Sequence, residues 1–201
     1  MNRRTLLTSA AAFAVLAGTA AQAQQLSLSA VSSYLNGLTT ATSGFTQVNG
    51  DGTLSTGQLY IKRPGRIRFE YNAPDNSLVM AGGGSVAVFD PRSNAAAERY
   101  PLNQTPLSII LAQNVDLGRA RMVTGHTSDG TTTTITAQDP DHPEYGNIQM
   151  KFSANPVELR QWIVTDNVGE RTTVILNGLT PGAGISDAQF NIQSEMSRRG
   201  Q

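Results

Sequence analysis

"LYIKRPGRIRFEY", residues 59–71, decides how the chain is read. Successive side chains on a strand point to opposite faces, so Leu59 and Ile61 share one side and Tyr60 and Lys62 the other. Arg-Pro-Gly then makes a turn, with Pro64 removing a ladder donor where the strand ends. Beyond it, Ile67, Phe69 and Tyr71 share a side opposite Arg66, Arg68 and Glu70. The stretch is therefore a hairpin with one apolar and one wet face. Arg66 and Arg68 read as a solvated stripe and as candidates for docking a partner. The anomaly is Arg63, which parity places on the apolar side. A guanidinium keeps its charge and its five donors, so it either snorkels past the strand end into solvent or finds acceptors within.

The same alternation extends outward. Short strand-like runs go from Ser43–Val48 to Glu170–Asn177, among them Leu78–Ala81, Val86–Asp90, Ala96–Tyr100 and Arg119–Gly125. "NGDG", "NAPDN", "GGG", "SDG" and "DNVG" separate them with turn chemistry. In one of the later runs Ile148, Met150 and Phe152 share a side opposite Gln149 and Lys151. The pattern predicts a mainly β fold, an antiparallel meander of about eleven strands that curls into a barrel or an unclosed half-barrel. Two helices interrupt it. Leu28, Val31, Leu35 and Leu38 form a stripe at helical spacing beside Tyr34, capped by Ser27 or Ser29, over about residues 28–39. "TPLSIILAQN" starts a second, with Thr105 as N-cap and Pro106 at the first helical position. Leu107, Ile109, Ile110 and Leu111 make it apolar nearly all round, so it is buried or faces something greasy. If the apolar sheet face closes on itself it is a core; if the helices only partly fill it, it is a pocket for an acyl chain.

The chain opens with Arg3 and Arg4, an apolar run from Leu6 to Leu16 and Ala21-Gln22-Ala23, the three parts of a secretory signal peptide over residues 1–23. A spanning helix needs about 20 apolar residues, more than this run has. Residues 24–201 then form a single exported domain; the Arg pair leaves the twin-arginine route open. Removing Arg3 and Arg4 from 15 basic residues leaves 13 against 15 acidic, a net charge of 13 − 15 = −2 with no dense run of either sign, which argues against nucleic acid. The chain has no cysteine, hence no disulfide and no lipid-bearing Cys after the signal peptide.

Enzymatic readings find little support. His126 and His142 lack the spacing of a metal pair, and "DPDHPEYG", with Asp139, Asp141, His142 and Glu144 between prolines, reads as a solvated turn. Gly83-x-Ser85-x-Ala87 would need a helix after the serine to be a nucleophile elbow, but Val86–Phe89 reads as strand. No cofactor, metal or catalytic residue is expected. Trp162 and Tyr60 read as ordinary packing on a β surface.

"FTQ" at Phe45–Gln47, "GQLYIKRPGRIRFEY" at Gly57–Tyr71, "VFDP" at Val88–Pro91, "TPLSIIL" at Thr105–Leu111 and "LRQWIVTDNVGERTTVIL" at Leu159–Leu176 fall in an order that resembles the periplasmic outer-membrane lipoprotein carrier family, LolA. The likeness runs from the first helix to about Phe190; the ending "FNIQSEMSRRGQ" lacks the Pro-Gly turn and extended segment that often follow in that family. The resemblance implies an unclosed barrel whose helices form a lid over an apolar cavity. It implies a carrier of acylated lipoproteins released by an inner-membrane ABC transporter and passed to an outer-membrane acceptor, and we take it to be a monomer. It further implies cavity walls at Leu59, Ile61, Ile67, Phe69, Met150 and Phe152 and a lid built on Leu28, Val31, Leu35, Leu107, Ile110 and Leu111. Arg63, on the Lys-Arg-Pro motif, becomes the clasp that bonds to the lid. Two other readings of the same half-barrel remain: a carrier of another amphiphile, such as a glycolipid or fatty acid, and a sensor with a collapsed cavity.

Overall fold

The Arg-Pro-Gly turn joins two strands as read. In the computed structural model, which describes residues 25–93, 95–119 and 121–200, β2 (Leu54–Lys62) pairs with β3 (Arg66–Tyr71), setting Leu59 opposite Phe69 and Ile61 opposite Ile67. The expected signal peptide, residues 1–23, lies outside the described residues.

From that hairpin the sheet grows both ways. β1 (Thr40–Val48), β4 (Leu78–Gly82), β5 (Ser85–Phe89) and β6 (Glu98–Pro101) complete one half; β7 (Val123–Ser128), β8 (Thr132–Gln138), β9 (Asn147–Ala154), β10 (Val157–Thr165) and β11 (Arg171–Leu176) build the other. The order is β6-β5-β4-β3-β2-β1-β11-β10-β9-β8-β7, antiparallel throughout. The sheet is a half-barrel: β6 and β7 are its two edges, and the chain runs from one to the other across the opening. A twelfth strand, β12 (Thr180–Pro181), continues β11 along the start of β1 and brings the count one above the expected eleven. β7 begins at Val123 rather than Arg119, because Asp116 accepts from the Gly118 N–H at 3.0 Å and its carbonyl accepts from the Arg119 N–H, which turns the chain there.

Among the described residues three α-helices accompany the sheet. α1 (Leu28–Gly37) is capped by Ser27, whose hydroxyl accepts from the Ala30 N–H. It ends two residues before the expected 39. α2 (Leu107–Leu111) follows a 3₁₀ turn at Leu102–Gln104. Thr105 does not cap it: its hydroxyl donates to the Leu102 carbonyl at 2.8 Å, closing the preceding turn instead. α3 (Ile192–Arg198), capped by Asn191, occupies the divergent C-terminal segment.

α3 corrects the expectation of a wet outer face. Leu78, Met80, Ala87 and Phe89, on the outside of β4 and β5, form a second apolar cluster with Ile192, and Met196 packs against it. Gly82 permits the approach, since a Cβ there would stand 2.1 Å from the Phe190 carbonyl oxygen. Arg68 is consequently not solvated: it is 8% exposed, donating from Nη1 to the Gln189 carbonyl at 3.0 Å and to Glu195 at 3.2 Å, and from Nε to Glu70 at 2.7 Å. Arg66 and Lys62 both reach Asp187, at 2.8 and 2.7 Å.

Glu195 receives Arg198 and Arg199 as well as Arg68. Burial alone would raise its pKa, but the bonds from Arg199 and Arg68, with the neighbouring charges, outweigh burial and hold the carboxyl below the usual range. A depressed folded pKa gives stability that is complete above the unfolded value of about 4.3 and is lost as pH falls through the folded value. Melting curves of wild type and Glu195→Gln should therefore differ at neutral pH and converge between about pH 4.3 and lower values. A constant difference from neutral to strongly acid pH would sink this account.

Candidate functional site: the lidded interior

The concave face of the half-barrel is one apolar cluster. Leu59, Ile61, Ile67, Phe69, Met150 and Phe152 lie in it at 4% exposure or less. Period two brings them there from three strands, β2 and β3 of one half and β9 of the other. An aromatic edge joins those halves, Phe69 meeting Trp162 at 6.2 Å between ring centroids, and within its own half Phe69 meets Phe45 at 5.3 Å. Phe45 and Gln47 of the Phe-x-Gln element act together, since Phe45 packs edge-on against Tyr71 and Gln47 accepts from the Tyr71 hydroxyl at 2.7 Å. Burial pushes the Tyr71 hydroxyl up to about 12.

The residues expected to form a lid share this cluster. Val31 and Leu35 of α1 and Ile110 and Leu111 of α2 are buried in it, while Leu28 and Leu107 pack against it partly exposed. α1 and α2 therefore do more than cover a void: their own side chains occupy the trough where a pocket was expected. α1 lies across the end where β1 begins. The Leu159 N–H, beside a bulge in β10, donates to the Tyr34 hydroxyl at 3.1 Å, and the Tyr34 ring meets Phe152 edge-on. At its start, the Leu26 N–H donates to Thr133 and its carbonyl bonds to His126.

Arg63 stands just past β2, where α1, α2 and the following loop converge. Its Nη2 donates to the Ala112 carbonyl at 2.5 Å and to Asn36 Oδ1 at 3.4 Å. Two residues on, the Gly65 N–H donates to the Leu111 carbonyl at 2.8 Å. The turn thus takes up orphan carbonyls at the C-terminal end of α2. Burial lowers the Arg63 pKa, and its Nε is buried with no partner among the described residues. The guanidinium remains charged even so.

Asn36 and Ser32 make polar contacts at this end that periodicity missed. The Asn36 carboxamide accepts from the Val115 N–H at 2.8 Å and donates to the Val115 carbonyl at 2.9 Å, while Ser32 accepts from the Leu117 N–H at 3.0 Å. Four residues apart, both project from one side of α1. That spacing was the available signal. Together with Arg63 they tie both helices and the 112–117 loop into one cover.

The features weighed for catalysis are placed otherwise. Ser85 is a strand residue paired with Gly82 and Pro101, not the tip of a strand-to-helix turn. His142 and Glu144 bond to each other at 2.9 Å in an exposed turn, and His142 stacks on Tyr145.

The sequence matches the family model for the outer membrane lipoprotein carrier protein LolA over residues 36–193. An outer-membrane lipoprotein carrier protein of Azotobacter vinelandii is 27% identical over 198 residues, covering 94% of this chain and 93% of its own length. One from Chromobacterium violaceum is 25% identical over 186 residues, covering 89% of each. A solved domain from Vibrio parahaemolyticus superposes with a TM-score of 0.50 at 8% identity, over 84% of this chain and 97% of that one. That is a likeness of fold.

Proposed function

The chain belongs to the outer membrane lipoprotein carrier protein LolA family, and on that premise we propose that it is a periplasmic carrier. It takes the acyl chains of lipoproteins released from the inner membrane and delivers them to the outer membrane. The inner-membrane lipoprotein-releasing ABC transporter hands over the cargo, and an outer-membrane acceptor receives it. The observation that carries this reading is the composition of the interior: one apolar cluster, partly supplied by two short helices that a few polar bonds hold in place. When those helices swing out, the trough they leave is lined by side chains with almost no hydrogen-bonding capacity. An acyl chain fits such a surface.

Magnitudes favour an exchange over simple filling. Burying a CH₂ is worth about 0.8 kcal/mol, so a chain of about 15 methylenes gains roughly 12 kcal/mol. Three fully buried chains would far exceed the ceiling of about 20 kcal/mol seen for non-covalent binding. Cargo held that tightly would never be delivered. Displacing the lid's own apolar side chains and breaking the Arg63 clasp subtract from the gain, leaving an affinity from which cargo can leave.

The test is release. Purified protein is incubated with spheroplasts that retain newly made lipoproteins, and acylated polypeptide is sought in soluble one-to-one complexes. Such complexes are the expected result. Uptake of fluorescent fatty acid without lipoprotein release would move the function to another lipid, and failure of both would overturn the carrier reading.

A further inference from the structure

Where the two halves of the sheet face each other across the opening lies a cleft of about 380 Å³. Val79 of β4, Val86 of β5 and Tyr100 of β6 line it from one half and Val164 of β10 from the other, with Tyr145 and Leu107, the first residue of α2, adding to the wall. Val86 belongs to the interior cluster, and Val79, Val164 and Leu107 pack against it while remaining partly exposed. The floor of the cleft is thus the outermost layer of the interior. Gln104, Thr105, Asp166 and Asn167 supply polar groups at its margin.

We propose that this cleft is the first acyl-binding subsite of the closed protein, where a single acyl chain of the cargo docks before the lid opens. The inference rests on the carrier reading. Three observations select the occupant. The walls are aliphatic and tyrosyl, so a peptide backbone laid there would leave amides unmet. A water's share of liquid volume is about 30 Å³, so the cleft holds about a dozen groups of that size, one chain rather than three. The polar margin suits the ester end of the chain. The cleft also reaches the lid: α2 starts in it at Leu107 and ends at Leu111, beside Ala112 and under the Arg63 turn. A chain seated against Leu107 acts on one end of α2 while the clasp holds the other. Displacing Leu107 joins the cleft to the cluster around Ile110.

The experiment is stopped-flow uptake of cis-parinaric acid by wild type, Val164→Trp and Ile175→Trp. The indole at position 164 fills the cleft; Ile175 is exposed and alternates with the buried Val174 and Leu176, so it points outward on the adjacent strand. Initial uptake should slow about tenfold in Val164→Trp and stay at the wild-type rate in Ile175→Trp. Wild-type rates in a folded Val164→Trp overturn the cleft and leave the carrier reading standing. No uptake by wild type overturns both. If Val164→Trp fails to fold, a photoreactive benzophenone side chain in place of the exposed Tyr100 decides: it should cross-link the fatty acid, and uptake without cross-linking overturns the proposal.

Discussion

Arg63→Leu should raise spontaneous uptake of a fluorescent fatty acid about 5- to 30-fold and speed hydrogen exchange of the α2 amides. The factor corresponds to roughly 1–2 kcal/mol removed from the cost of opening the lid. Hydrogen bonds from a charged donor are worth about 1.5–3 kcal/mol each, but the two made by Arg63 are unequal, at 2.5 Å to Ala112 and 3.4 Å to Asn36. Part of that gain is offset in the native protein, since the guanidinium is partly desolvated and its Nε is unmet among the described residues. Leucine removes the burden along with the bonds. The Gly65 to Leu111 backbone bond survives the change, so α2 loosens rather than departs. Because Asn36 Oδ1 accepts from both Arg63 and Val115, Asn36→Ala should also open the lid, and the double variant should fall short of the sum of the two single effects. Unchanged uptake and exchange in Arg63→Leu would remove the clasp from the mechanism.

The concave face was legible because it obeys one rule. Leu59, Ile61, Ile67, Phe69, Met150 and Phe152 alternate with polar neighbours, and any curled antiparallel sheet brings such residues together. The outer cover was not, although β4 and β5 carried its signature. Leu78-Val79-Met80-Ala81 and Val86-Ala87-Val88-Phe89 are unbroken apolar runs, which mean burial on both faces. Pairing them with Ile192 and Met196, more than a hundred residues away, is a tertiary fact without a local trace. The same distance hid the partner of Arg68. Asn36 was obscured for another reason: on a helix read for its apolar stripe, a polar residue counts as solvent-facing until the loop that it holds is in place. Whether the trough would be open or filled was equally beyond periodicity, because alternation fixes which side chains face inward and says nothing of the volume between them.

That last point makes Phe152→Ala the sharpest probe of an interior that serves both as core and as binding surface. Phe152 is fully buried on β9, directly beneath Tyr34 of α1. Truncating a buried phenylalanine typically costs about 3–5 kcal/mol, the lost transfer energy plus a term for the remaining void. In a domain of this length that lowers Tm by on the order of 10 °C. In an ordinary core the loss would be final. Here the void opens under the lid, in the trough that acyl chains are proposed to occupy, so a bound chain can refill it. Saturating fatty acid should therefore raise the Tm of Phe152→Ala by more than it raises that of wild type, since ligand stabilisation grows with affinity for the native state. Calorimetry with and without ligand measures both quantities. A loss of stability that fatty acid restores no better than in wild type would mean that Phe152 supports the lid from outside the acyl path, and would move the binding surface toward Phe69 and Trp162, which meet edge-on.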